Sequence, residues 1–230
     1  MKKLNSLVIS IIILSQFAFS QNGETIRPMD NYSFYKLTQA NELDVINYSE
    51  IKGSPYLTDN FVESKIYFSA DTAFSLNLRY NIYEDRFEYK KNDKVFAIGN
   101  PKVIYKIEML NNIFIYYVDK NNKIKNCYFR LLIEGNCSLV EKMEIRFEEK
   151  SEEKPYSGAK PAEFIRLNNK YYLILRYKSP ELIKNVKIIP EILSDKENDI
   201  SNFIKKEKIS AKDENDLIKL VNYYNILTSK

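Results

Sequence analysis

The stretch FSLNLRYNI (74–82) carries the reading of the fold. Phe74, Leu76, Leu78, Tyr80 and Ile82 alternate with Ser75, Asn77, Arg79 and Asn81. That period of two is the mark of a strand with one buried and one solvated face. Downstream, Glu84-Asp85 predicts a turn into RFEYK, and Lys91-Asn92-Asp93 a turn into KVFAI. Gly99-Asn100-Pro101 ends that strand, and VIYKIEM then sets Val103, Tyr105, Ile107 and Met109 on one side. Asn111-Asn112 precedes IFIYYV, and Lys120-Asn121-Asn122 precedes CYFRLLI. Short strands divided by turn chemistry predict an antiparallel β meander. A parallel fold would interleave helices, and none is readable here.

Working outward, the strand from Cys137 reads as long, with Cys137, Leu139, Met143, Ile145 and Phe147 inward. Glu141 interrupts that face, as a bulge or an edge would. Polar residues 148–163 predict an exposed loop able to carry recognition residues. FIRL and YYLILRY add two strands, the latter with Tyr171, Leu173, Leu175 and Tyr177 on one face. Near Pro190 the period becomes helical. Ser194 and Glu197 have capping-box spacing, and Ile200, Phe203 and Ile204 form a stripe. Ser210 is a second N-cap candidate, before acids at Asp213, Glu214 and Asp216. Leu217, Leu220, Val221, Tyr224 and Leu227 then share one helix face.

The expected architecture is therefore mainly β and a single domain. Residues 61–187 form an antiparallel meander, open and curved or barrel-like, and 188–230 form two or three C-terminal helices packed on it. Residues 21–60 read as irregular, with a short helix conceivable from Asn41 to Ile46 and a break at Gly53-Ser54-Pro55.

Residues 1–20 read as an export signal: Lys2 and Lys3, an apolar run from Leu7 to Leu14, then Ala18-Phe19-Ser20. Cleavage is expected between Ser20 and Gln21. The apolar run is shorter than the ~20 residues of a spanning helix, and no cysteine stands at the cleavage point for lipid attachment. The expected mature chain has no transmembrane segment and is periplasmic or secreted.

An oxidising compartment would permit a bridge between the two cysteines. A hairpin with Glu134-Gly135-Asn136 as its loop puts Ile133 opposite Cys137, Leu131 opposite Leu139 and Cys127 opposite Met143. Cys127 and Cys137 then lie ~20 Å apart, beyond the ~7 Å that a bridge tolerates. Both are expected as small core residues on one apolar face.

The sequence looks familiar at SPYLTDNF (54–61), LRYNIYEDRFEY (78–89) and FRLLIEGNCSLVEKMEIRF (129–147). AKPAEF (159–164) and DLIKLVNYYN (216–225) add to this. Together with the leader they resemble a group of exported β-rich proteins common in Bacteroidota. The resemblance implies an exported β-rich protein with terminal helices. No activity is attached to that group, so no functional residue is carried over.

The chain has no histidine among its 230 residues, which excludes imidazole-based triads and His-ligated zinc within it. A formal charge of +4, from 35 basic and 31 acidic residues, is no polyelectrolyte signature. Glu84-Asp85 beside Arg86 is the most tempting carboxylate pair for glycoside hydrolysis, although a solvated turn explains it. Asp195, Glu197 and Asp199 have cation-loop spacing, but Ile200 and Lys206 stand where such a loop needs Gly and Glu. Lys205, Lys206, Lys208 and Lys212 cluster among acids, which reads as a solvated helix end and not a nucleic-acid patch. The pairs Tyr116-Tyr117 and Tyr171-Tyr172 should each put one phenol inward and one outward, where it would suit a contact surface.

These features lead to an exported, non-catalytic binding or assembly module with a protein or envelope-polymer partner and no cofactor. A carboxylate-dependent, glycosidase-like hydrolase is the alternative. No catalytic or metal-binding residue is assigned.

Overall fold

Strand β3 (Thr72–Asn81) contains most of the opening stretch and lies inside a large open sheet. The computed structural model describes residues 25–26, 43, 48, 50–70, 72–119, 124–151, 160–176 and 178–229. Ser20, Gln21, the helix considered at 41–46 (Leu43 apart) and residues 152–159 of the predicted loop lie outside the described residues.

The remaining strands are β1 (Thr25–Ile26), β2 (Val62–Ser69), β4 (Arg86–Lys91), β5 (Lys94–Ala97), β6 (Lys106–Met109) and β7 (Asn112–Tyr117). β8 (Cys127–Ile133), β9 (Cys137–Lys142), β10 (Ile145–Glu148), β11 (Glu163–Arg166), β12 (Lys170–Leu175) and β13 (Glu181–Leu182) follow. The antiparallel order is β13-β12-β9-β8-β7-β6-β2-β3-β4-β5, with β1 parallel to β3 off that path. The mainly β architecture ending in helices is as expected, and the sheet stays open.

The chain enters the sheet at its middle. It meanders to the β5 edge, crosses back to the far side of β2, and meanders outward again. The return passes through Gly99-Asn100-Pro101 and a short 3-10 turn at Pro101–Val103. Ile98 and Ile104 from this crossing are buried in the core, so the predicted strand break plugs one end of the sheet. Tyr105 is exposed, because the strand starts only at Lys106 and not at Val103.

From β2 to β8 the sheet curls. β4 and β8 stand five places apart in the order, yet the rings of Phe87 and Tyr128 are 4.8 Å apart. Tyr80 stacks on Phe87 at 4.7 Å, and Phe114 meets both at 5.3 Å. Offset and edge-on ring packing of this kind fixes orientation as well as burying area.

Beyond β8 the sheet continues as a wing covered by α1 (Ile189–Ile192), α2 (Glu197–Glu207) and α3 (Glu214–Thr228). Leu217, Leu220, Val221 and Tyr224 of α3 are buried as the helical stripe predicts. The capping residues differ from expectation. Ser194 sits in a 3-10 turn, and α2 follows Lys196 with no side-chain cap. Asp213, not Ser210, caps α3 by accepting from the Asp216 N–H. Ser210 instead receives the Lys212 N–H in a local turn.

Three strand readings are corrected. The Cys137 strand stops at Lys142, and Ile145–Glu148 pairs with β11 in a separate two-stranded sheet. Glu141 is neither bulge nor edge but a fully buried residue opposite Arg130. The irregularity falls in β8, between Leu131 and Ile133, so Leu131 faces Val140 and Ile133 faces Leu139. That one-residue shift moves alternate side chains across the sheet. Cys137 consequently packs under the helices, while Cys127 packs with Phe129 and Val140 on the opposite face. Both thiols are unbridged and buried.

Residues 50–60 cross the strand ends as a strap. Lys52 bridges to Glu163 of β11 and Tyr56 to Asn81 of β3. Gly53, at φ +80°, permits the crossing, since a Cβ there would lie 2.5 Å from the Phe164 carbonyl oxygen. The strap also covers the face expected to be solvated. Arg79 lies 3.7 Å under the Tyr56 ring, and Asn81 is wholly buried.

Candidate functional site

The turn from β3 to β4 separates the carboxylates that adjacency in sequence had paired. Glu84 reaches Arg86 at 3.8 Å on the surface. Arg86 in turn serves the buried Glu88, which also accepts from Arg79 at 2.7 Å and Asn81 at 3.2 Å. Asp85 adopts φ +53°, and its carboxylate accepts from the Tyr80 hydroxyl at 2.6 Å and the Lys142 ammonium at 2.7 Å. The backbone N–H of Tyr128 approaches it at 3.3 Å, and Lys142 also donates to the Tyr128 carbonyl. Asp85 thus latches the β3–β4 turn to β8 and β9 across the mouth of the curl.

Above this latch a cleft of about 630 Å³ opens between the main sheet and the β10–β11 hairpin. Its walls include Tyr83, Phe147 and Tyr172, with Lys125, Glu144 and Arg146 among them. Tyr83 is 41% exposed and packs against Phe147 and Phe164 at 6.3 and 5.3 Å. Glu144 holds Lys170 at 2.6 Å. The Cys127 thiol also lines the cleft, but burial pushes its pKa up to about 11. A thiol so placed supplies little nucleophilic thiolate near neutrality. Of the 148–163 segment, residues 148–151 and 160–163 belong to the same hairpin, where Ser151 and Lys160 exchange backbone hydrogen bonds beyond the strand ends.

A second concavity, of about 1070 Å³, lies between β12–β13 and the segment joining α2 to α3. Arg166, Lys170, Lys184 and Lys212 line it, and among the described residues no acid does. Tyr171, Ile183, Val186 and Ile209 provide its apolar walls. The predicted lysine cluster is divided here. Lys212 reaches the groove, whereas Lys206 approaches Glu207 at 3.9 Å elsewhere on α2.

Beside the groove a polar cluster ties α3 to the sheet. The Arg130 guanidinium pairs with both Glu141 and Glu214 and donates to Asn112 at 3.2 Å. Tyr171 donates to Glu214 at 3.3 Å. Burial raises the Glu141 pKa above its ordinary value, against the opposing influence of Arg130. Asp195 accepts the Tyr224 hydroxyl at 3.0 Å, while Glu197 and Asp199 sit in the first turn of α2, so the three acids do not converge.

The tyrosine pairs do split across the sheet, but neither partner is left as a free outward phenol. Tyr116 packs on Tyr128 and Tyr117 on Phe129, while Tyr171 lies under the helices and Tyr172 on Phe129. Sequence reasoning missed Lys142, Glu144 and the groove cations Arg166, Lys170 and Lys184, and it read Lys212 only as part of a solvated helix end. Each is a single charge in a segment whose neighbour in space is remote in sequence. Among the described residues no helix is long and apolar enough to cross a membrane. No known protein family, curated protein or solved structure matches the chain.

Proposed function

We propose that the protein is an exported, non-catalytic binding module of the periplasm or cell envelope, gripping a protein or envelope-polymer partner at the cleft under the β10–β11 hairpin. The observation that carries the reading is the lining of that cleft. An exposed tyrosine, further aromatic edges and charges of both signs stand on a base latched by Asp85 and Lys142. Aromatic groups and arginine amid mixed charge are the composition of contact surfaces. The leader-like pattern of residues 1–20 supports export.

The hydrolase alternative has one observation in its favour, since Asp85 and Glu144 both line the cleft. General-acid duty calls for a carboxyl kept away from cations, and each of these touches a lysine ammonium. The test is native mass spectrometry of the protein purified gently from its own envelope fraction, beside Y83A and R146E. A retained partner that both substitutions release is the expected result. Repeated recovery of a bare monomer would overturn the reading.

A further inference from the structure

We propose that the groove between β12–β13 and the α2–α3 connection is a second binding site, which takes a single-chain anionic amphiphile: a carboxylate or phosphate head on an aliphatic chain. The charges point to the head. Among the described residues, four cations and no acid line the groove. Lys170 is occupied by Glu144, but Lys184 and Lys212 have no ion pair among the described residues, and Arg166 donates to the Met143 sulfur at 3.3 Å while its charge also favours the ionised Glu141. The nearby acids are committed elsewhere: Glu214 to Arg130 and Tyr171, and Asp216 to the Ser210 N–H. An anion entering the groove therefore meets Lys184 and Lys212 without displacing an acid from either.

The walls point to the tail. Ile183, Val186 and Ile209 are branched aliphatics, which suit a hydrocarbon chain. A sugar polymer would call for aromatic platforms, and Tyr171, the single aromatic lining the groove among the described residues, is buried with its hydroxyl on Glu214. An added peptide strand would need a long free edge, whereas β13 has two residues, preceded by Pro180 and beginning with the acid Glu181. Cations at the rim of an aliphatic wall match a molecule with one charged end and one apolar end.

The test uses the full mature chain and titrates palmitate and palmitoyl lysophosphatidic acid, each below its micellar concentration, by calorimetry. Monopalmitoylglycerol, inorganic phosphate and polygalacturonate serve as the neutral, headgroup-only and polymer arms. Saturable binding of at least one anionic amphiphile is expected, with K184E/K212E weakening it about tenfold or more, since charge pairs in an apolar setting are sensitive to reversal. Both lysines are exposed, so circular dichroism and melting should match the parent chain. K205E/K206E makes the same charge change outside the groove and should leave binding intact. Which head binds better separates a fatty-acid source from a phospholipid source. The proposal is overturned if both double variants weaken binding equally, if monopalmitoylglycerol binds as well as the anions, or if polygalacturonate alone binds.

Discussion

Among the described residues, the core clusters of the curl and the wing bury thirteen hydrophobic residues each, yet the two regions hold their shape differently. Five of the thirteen in the curl are aromatic, against two in the wing. In the curl, strands distant in the sheet order meet through interlocked rings, so a single sheet supplies both sides of its own core. The wing draws its core from a second layer. Its helices bring aliphatic stripes and are then fixed in register by polar ties. Orientation comes from ring geometry in one region and from hydrogen bonds in the other.

The comparison breaks most readily at Phe87. Its ring contacts Tyr80, Phe114 and Tyr128 together, so F87A should cost about 4 kcal/mol in urea denaturation. Leu220→Ala, equally buried in the wing, should cost about 3 kcal/mol because aliphatic neighbours relax more easily into the space. A larger loss for L220A would reverse the proposed difference.

The next effect belongs to the wing alone. R130L leaves Glu141 buried without its cation, and breaking one side of such a pair costs about 3 kcal/mol. The double variant R130L/E141L should recover most of that loss, since two apolar groups replace the pair. Failure to recover would assign the cost to lost packing around Arg130. Smaller again is N225A. The Asn225 amide donates to the Cys137 carbonyl and accepts from the Cys137 N–H, both at 2.9 Å. Losing this two-point tie between α3 and β9 should cost about 1–2 kcal/mol.

Glu141 also gives the wing a pH signature. Its carboxyl binds a proton more tightly in the folded chain, because burial raises its pKa. Stability should therefore rise as pH falls through the window from the raised folded value down to the ordinary carboxyl value, and fall as pH rises through it. Denaturation curves across pH 4–8 should show the parent gaining on E141Q toward acid pH. Parallel curves would mean that Glu141 stays ionised in the fold throughout.

Period-two patterning made the strands legible, and FSLNLRYNI has the predicted inward face. The order of the strands was not legible, because β6 joins β2 through contacts forty residues apart that no local spacing encodes. The face of Cys127 was lost for a different reason: the β8 irregularity shifts register inside a run that looks uniform. Charged residues misled in both directions. Asp85 drew notice for its neighbour Glu84, while its partner Lys142 comes from another strand. Glu141 looked like an edge because buried carboxylates are rare, and its cation is eleven residues away across a hairpin. The groove cations Arg166, Lys184 and Lys212 come from three segments, so the lysine cluster around Lys212 reads as a helix end and nothing local joins it to the other two.

The smallest predicted effect is a gain, and it tests whether the curl is limited by its rings or by its turns. Leu110 and Asn111 form the two-residue loop between β6 and β7, at φ +51° and +60°. Such loops match the sheet twist only with both residues left-handed, and a leucine there is strained by roughly 1–2 kcal/mol. Another two-residue loop of the curl, Asn92-Asp93, has the same conformation with residues that tolerate it. Leu110 is 48% exposed, so replacing it removes little packing. L110N should stabilise the chain by about 1 kcal/mol, and L110G by about half that, because glycine also loosens the unfolded chain. The order N above G is the discriminating result. If neither variant gains, the rings already set the hairpin's geometry and the turn merely follows it.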